Sequence, residues 1–271
     1  MRGKILKFAS FGDGVVHGIS TRLGGASAAP YATLNLAGRV GDDPEAVRHN
    51  RKAFLGLLGH RPESTVGVRQ VHGNRVVIAG RDDAGRGLVP AAPPTEEADG
   101  LITRDAGIAL LVLAADCVPI LLWDPVRRVC GAVHAGWRGT VAGIVEEAVR
   151  SMGAAFGSRP EDLLAGVGPA IGRCCYEVDA AVAGPLEAEQ PAIASRVLEP
   201  ARRGHWMLDL PGANRLQLLE AGLSEGNLEV MDLCTSCHRD LLYSQRAEGY
   251  PCGRFGAVIA LKESGPPART G

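Results

Sequence analysis

The chain has 271 residues, 46% hydrophobic and 22% charged, enough to bury a substantial core in one large domain or two small ones. A net charge of −1 removes the electrostatic footprint of a nucleic-acid or acidic-membrane binder and leaves small neutral or anionic ligands as the expected partners. Seven cysteines, an odd number without a secretory context, favour free thiols, metal ligation or catalysis over a disulfide framework.

Met1-Arg2-Gly3-Lys4 has the basic start of a signal peptide, but Lys7 interrupts the apolar stretch and no cleavage-type segment follows, so a cytoplasmic protein is expected. Residues 4–20 read as two short strands joined at Phe11-Gly12-Asp13-Gly14. A long ordered loop follows, from Thr21-Arg22-Leu23-Gly24-Gly25 to Leu34-Asn35-Leu36. Asp43 and Pro44 then supply an N-cap and a first helical position, with Val47, Phe54, Leu55 and Leu58 as the apolar stripe and Gly59 as the stop. Residues 65–71 and 74–79 are strand-like, which places His72 of Gln70-Val71-His72-Gly73 on a turn. A loop over 80–97 leads through Ala98-Asp99-Gly100 back into the sheet.

The organising stretch is 107–140. Ile108–Leu113, Val118–Trp123 and Val129–Val133 are unbroken apolar runs, the pattern of strands buried on both faces. Ile108–Trp123 is too short for a bilayer core of about 30 Å and contains Asp116 and Pro119. Polar groups follow the runs: Asp116-Cys117 after the first, and His134-Ala135-Gly136-Trp137-Arg138-Gly139 after the third. Strand ends hold side chains rigidly at the mouth of a sheet, a placement that suits a site. A helix is predicted over 140–156, a strand over 163–167, helices from Asp179 and over 209–223, and strands over 228–232 and 256–261. Residues 263–271 read as a disordered tail after a single domain over 1–262.

The sharpest candidate constellation is His72, Cys117 and His134. Two imidazoles and a thiolate hold zinc with a fourth position open, and the same donors suit copper when a weak axial ligand is present. The alternative is a buried small cysteine with two histidines bonded to nearby backbone. Arg138, at the start of the helix after His134, offers a guanidinium beside free backbone N–H groups and hence an anion site; a solvated helix-end arginine is the plainer reading. Cys234-Thr235-Ser236-Cys237-His238 spells a haem-attachment pattern, but covalent haem of that type requires export. A structural zinc there needs a second cysteine pair, and only Cys174-Cys175 and Cys252 are available, so a turn held by polar contacts is expected.

Together, Thr21-Arg22-Leu23-Gly24-Gly25, Leu34-Asn35-Leu36, Gln70-Val71-His72-Gly73, Ala98-Asp99-Gly100, Ala115-Asp116-Cys117-Val118-Pro119, His134-Ala135-Gly136-Trp137-Arg138-Gly139 and Gly168-Pro169-Ala170-Ile171 resemble the YfiH family over nearly the whole chain. Members of that family are known as multicopper polyphenol oxidoreductases (laccase-like), purine nucleoside phosphorylases and peptidoglycan editing factors. The resemblance implies a single α/β domain of mixed β-sheets flanked by helices, with zinc, or copper, on His72, Cys117 and His134, which also serve as the catalytic residues. It further implies substrate or phosphate binding by Arg138, Asn35 and Gln70. The implied activity is phosphorolysis of adenosine, inosine and methylthioadenosine with accompanying adenosine deamination, by a monomer that binds neither nucleic acid nor membrane. Two rivals are a hydrolase editing UDP-muramyl amino acid precursors, with Cys117 as nucleophile, and a copper polyphenol oxidase; the latter lacks the H-x-H pairs of a multicopper cluster.

Overall fold

The continuous apolar runs become the central strands of two mixed sheets stacked face to face in the computed structural model, which describes residues 5–94 and 96–263. The strands are β1 (Ile5–Leu6), β2 (Val15–Ser20), β3 (Thr65–Gly67), β4 (Val76–Ile78), β5 (Gly100–Thr103), β6 (Ala109–Ala114) and β7 (Val118–Asp124). They continue as β8 (Val129–Ala135), β9 (Leu164–Val167), β10 (Glu177–Asp179), β11 (Leu198–Pro200), β12 (His205–Leu208), β13 (Leu228–Val230) and β14 (Phe255–Leu261). The helices are α1 (Pro44–Leu57), α2 (Trp137–Val141), α3 (Ile144–Phe156), α4 (Ala180–Glu189), α5 (Pro191–Val197), α6 (Leu210–Glu220) and α7 (Gln245–Glu248). One sheet has the order β1-β2-β14-β6-β3 and the other β13-β9-β7-β8-β5-β4; a small antiparallel sheet, β10-β12-β11, stands apart.

The two-residue side-chain period of a strand sorts each run into two cores. On β6 and β14, Ala109, Leu111, Val258 and Ala260 face Phe54, Leu55 and Leu58 of the α1 region. Their neighbours Leu110, Val112, Ala257 and Ile259 meet Leu121, Trp123, Cys130 and Ala132 of the second sheet. Ile120, Leu122 and Val133 point the other way, onto Ile144, Val145, Ala148 and Met152 of α3 and Leu216 of α6. The result is a helix–sheet–sheet–helix stack. Burying each such Leu or Ile stabilises the fold by about 1.5–3 kcal/mol, so these strands anchor whatever their ends carry.

Local signals explain the helices. Asp43 caps α1 by accepting from Glu45 N (3.1 Å), Asp179 caps α4 by accepting from Ala181 N (3.0 Å), and Asp209 caps α6 by accepting from Gly212 N (2.9 Å). The helix predicted over 140–156 is interrupted instead. Gly143, at φ 72°, separates α2 from α3, a left-handed backbone position that favours glycine. Strand β3 is also shorter than predicted, since the chain leaves the sheet at Gly67 for the His72 loop. No described helix is long and apolar enough to cross a membrane. The 263–271 segment falls outside the described residues apart from Glu263.

Candidate metal centre

The chain crosses from one sheet to the other between β6 and β7, and Cys117 sits at that crossing. His134 occupies the next-to-last position of β8, paired with Pro119 of β7, so it belongs to the strand and not to the turn expected after it. His72 comes from the loop between β3 and β4. One ligand atom from each of the three lies within 4.8 Å of the others, and the two imidazoles meet edge-on with centroids 4.9 Å apart.

Asp99, fully buried just before β5, holds this arrangement. Its carboxylate accepts from Val71 N (3.2 Å), His72 N (3.0 Å) and Gly73 N (2.7 Å), so one side chain fixes the His72 loop. It also bonds His134 Nδ1 at 2.9 Å, while His134 N donates to Asp99 O at 2.7 Å. With Nδ1–H donating to a carboxylate, the Nε2 lone pair is left free to bind a metal, the usual arrangement behind a metal-bound imidazole. Two residues near the site adopt left-handed backbone, His72 (φ 62°) and Asp116 (φ 86°). Glycines set the close approach: a Cβ on Gly136 would lie 2.8 Å from the His72 ring and 3.1 Å from Cys117 Sγ.

The electrostatics agree with this geometry. Burial pushes the Cys117 thiol up, but His134 and His72 outweigh it and set its pKa at about 6. Burial pulls His134 down, yet the Cys117 thiolate and Asp99 raise it to about 9. Burial likewise disfavours the Asp99 carboxylate, while its bonds to His134, Gly73 and Val71 keep it below the usual range. The donor set of two nitrogens and one thiolate, with the second ring nitrogen anchored, fits a zinc or copper ion.

The three side chains open into a cleft of about 1120 Å³. Seven arginines line it against one carboxylate, Asp116; Arg48 and Arg69 are paired with Glu45 and Glu97, and the other five still give the cleft an excess of positive charge in a chain of nearly neutral net charge. Arg138 stacks over the Trp137 ring at 4.2 Å and Arg246 over Tyr176 at 5.1 Å; all four line the cleft. Gln70 lines it too, but its amide clamps β6, donating to Leu113 O and accepting from Leu113 N at 2.8 Å each. Asn35 does not line it. That residue is fully buried, donates to Ala37 O and the Asp42 carboxylate, and accepts from Arg254 N (2.8 Å). The helix start offered as an anion site is a five-residue turn, so cleft arginines carry the positive charge. Asp99 belongs to the Ala98-Asp99-Gly100 motif, but nothing in the sequence marks it as the anchor of the ligand set.

Fold and site together define an α/β protein with a thiolate–imidazole ligand set at the floor of a basic cleft. Residues 16–262 match the family described as multi-copper polyphenol oxidoreductase laccase, and the chain belongs to this family, also known by its member YfiH. It is 38% identical over 250 residues to purine nucleoside phosphorylase YlmD of Geobacillus stearothermophilus, covering 92% of this chain and 91% of that protein. It is 42% identical over 247 residues to a purine nucleoside phosphorylase of Deinococcus radiodurans, covering 91% and 89%. The crystal structure of Bacillus licheniformis hypothetical protein YfiH superposes with a TM-score of 0.89 at 35% identity, over 92% of this chain and 93% of that one.

Proposed function

We propose that the chain is a zinc-dependent purine nucleoside phosphorylase acting on adenosine, inosine and methylthioadenosine. The observation that carries the reading is the Asp99-anchored His134–Cys117–His72 set on the floor of an arginine-lined cleft, in a chain whose relatives bear that name. In phosphorolysis a phosphate oxygen bonds to the ribose C1′, the C1′–N9 bond breaks, and the purine leaves with the bond's electron pair and takes up a proton. Arg138 and Arg246 would hold the phosphate dianion, and the Trp137 and Tyr176 rings give the purine apolar surface. Asp99 would keep His134 in one tautomer throughout. Zinc held by His72, Cys117 and His134 would supply Lewis acidity, with the three-ligand set leaving a position open. Copper suits the same donors, and metal analysis of the purified protein separates the two.

Adenosine deamination would use the same cleft, replacing the C6 amino group with a water oxygen and releasing ammonia. The oxidase alternative has less support. Among the described residues, the metal-competent clusters are this one and a group of four cysteines, and neither resembles a histidine-rich multicopper cluster. The test is incubation of zinc-loaded protein with adenosine, with and without phosphate, following adenine, inosine and ribose 1-phosphate by chromatography. Adenine and ribose 1-phosphate should appear together and only with phosphate. Adenine release independent of phosphate sinks the reading.

A further inference from the structure

Four of the seven cysteines converge away from the cleft floor. Cys174 and Cys175 lie on the loop between β9 and β10, and Cys234 and Cys237 on the loop after β13. All four sulfurs lie within 4.8 Å of one another, with Cys237 Sγ 3.6 Å from Cys174 Sγ and 3.5 Å from Cys175 Sγ. All are free thiols. A zinc ion with Zn–S bonds of about 2.3 Å at the centre of a tetrahedron sets its sulfurs about 3.8 Å apart. The observed spacing therefore matches one ion held by four thiolates, whereas a polynuclear iron–sulfur cluster would need to fit its own core between them.

We propose that Cys174, Cys175, Cys234 and Cys237 form a second metal centre, a structural zinc tetrathiolate that ties these two loops together. The surroundings are built for it. Gly172 N donates to Cys234 Sγ at 3.3 Å, the kind of backbone bond that stabilises a thiolate. Gly172 also makes room, since a Cβ there would lie 3.2 Å from Cys234 Cβ and 3.4 Å from Cys174 Sγ. The loops are already in register through a bridge between Ala170 and Cys234, with Thr235 N donating to Ala170 O at 3.0 Å. Four thiolates this close repel one another, and a divalent cation offsets that repulsion. Four protein ligands leave no open position, so the centre is structural.

The staple also reaches the cleft. Thr235 Oγ1 donates to Asp116 Oδ1 at 2.6 Å, and Ile171 N donates to Asp116 O at 2.9 Å, beside Cys117. Ile171 and Tyr176, which flank the cysteine pair, line the cleft. Opening the staple should therefore loosen one cleft wall and raise KM for nucleoside more than it lowers kcat.

The test uses the full chain and does not rest on phosphorolysis. A Cys117→Ala/His72→Ala variant, stripped of two donors of the first centre, is expected to retain one zinc per chain when purified under reducing conditions without chelator. Its four loop cysteines should resist iodoacetamide until the zinc is chelated, and cobalt exchange should give the intense d–d absorption of a tetrahedral sulfur set. Cys174→Ser/Cys237→Ser should lose that zinc and that spectrum. Absence of zinc with all four thiols freely alkylated in the first variant would overturn the proposal, whatever the folding of the second. So would disulfides among the four in a peptide map of the reduced preparation, or iron in place of zinc.

Discussion

The two cysteine-bearing centres differ in what holds them and in what they leave open. His134 is set within a fully buried strand, Cys117 lies where the chain passes between sheets, and Asp99 orients both His134 and the His72 loop. The four-cysteine group belongs to two surface loops, with Cys174 and Cys237 exposed. The first offers three donors on the floor of a basic cleft and the second four donors and no vacancy. Chemistry needs the rigid, incomplete set, whereas a staple needs only the complete one.

The comparison predicts a ranked series of effects. Cys117→Ala should lower phosphate-dependent adenine release by about 10²–10³-fold, the scale for removing a central electrostatic stabiliser, with far-UV circular dichroism unchanged. An equal loss in Cys174→Ser/Cys237→Ser would erase the distinction between the centres. Asp99→Asn should weaken zinc binding at the first centre by about 10–100-fold, read by competition with a chromophoric chelator, and leave the four-cysteine metal in place. Arg138→Ala should raise KM for phosphate about tenfold, in line with loss of a charge-assisted contact, with a smaller change in kcat.

Acid stability supplies a control that involves neither ligand set. His17 packs against Phe8 and Phe11 and accepts from Phe8 N at 2.9 Å. Burial and the Lys7 charge lower its pKa from 6.5 to about 4. The unfolded chain therefore binds more protons than the native one between those values, and stability falls as pH drops from 6.5 to 4. The loss should be about 1–2 kcal/mol after screening is allowed for, and urea titrations of His17→Gln should show a flatter profile over that window. Metal release from the cleft in acid that is retained in His17→Gln would then belong to the centre itself.

Much of this was legible in the sequence because strands buried on both faces leave unbroken apolar runs. The 108–113, 118–123, 129–133 and 256–261 runs all lie within or at the edges of central strands. Short pairings leave no such trace. β11 and β12, of three and four residues, were not predicted, and neither was the break at Gly143. His72, Cys117 and His134 stand out because reactive side chains interrupt or follow apolar runs. Asp99 does not, since its role depends on backbone N–H groups of a loop that sequence cannot orient. Asn35 and Gln70 look like binding amides in their motifs, yet both are occupied by the protein's own backbone. The four-cysteine group is not legible as one site, and a polar turn is expected at Cys234 and Cys237, because its halves are separated by about sixty residues of α4, α5, α6 and the small sheet.

The most direct test of the first centre is metal removal and return. Protein stripped by chelator should form no ribose 1-phosphate from adenosine and phosphate, and added zinc should restore the rate in the parent chain but not in Cys117→Ala. Ribose 1-phosphate formation at an undiminished rate by the stripped protein would contradict the account.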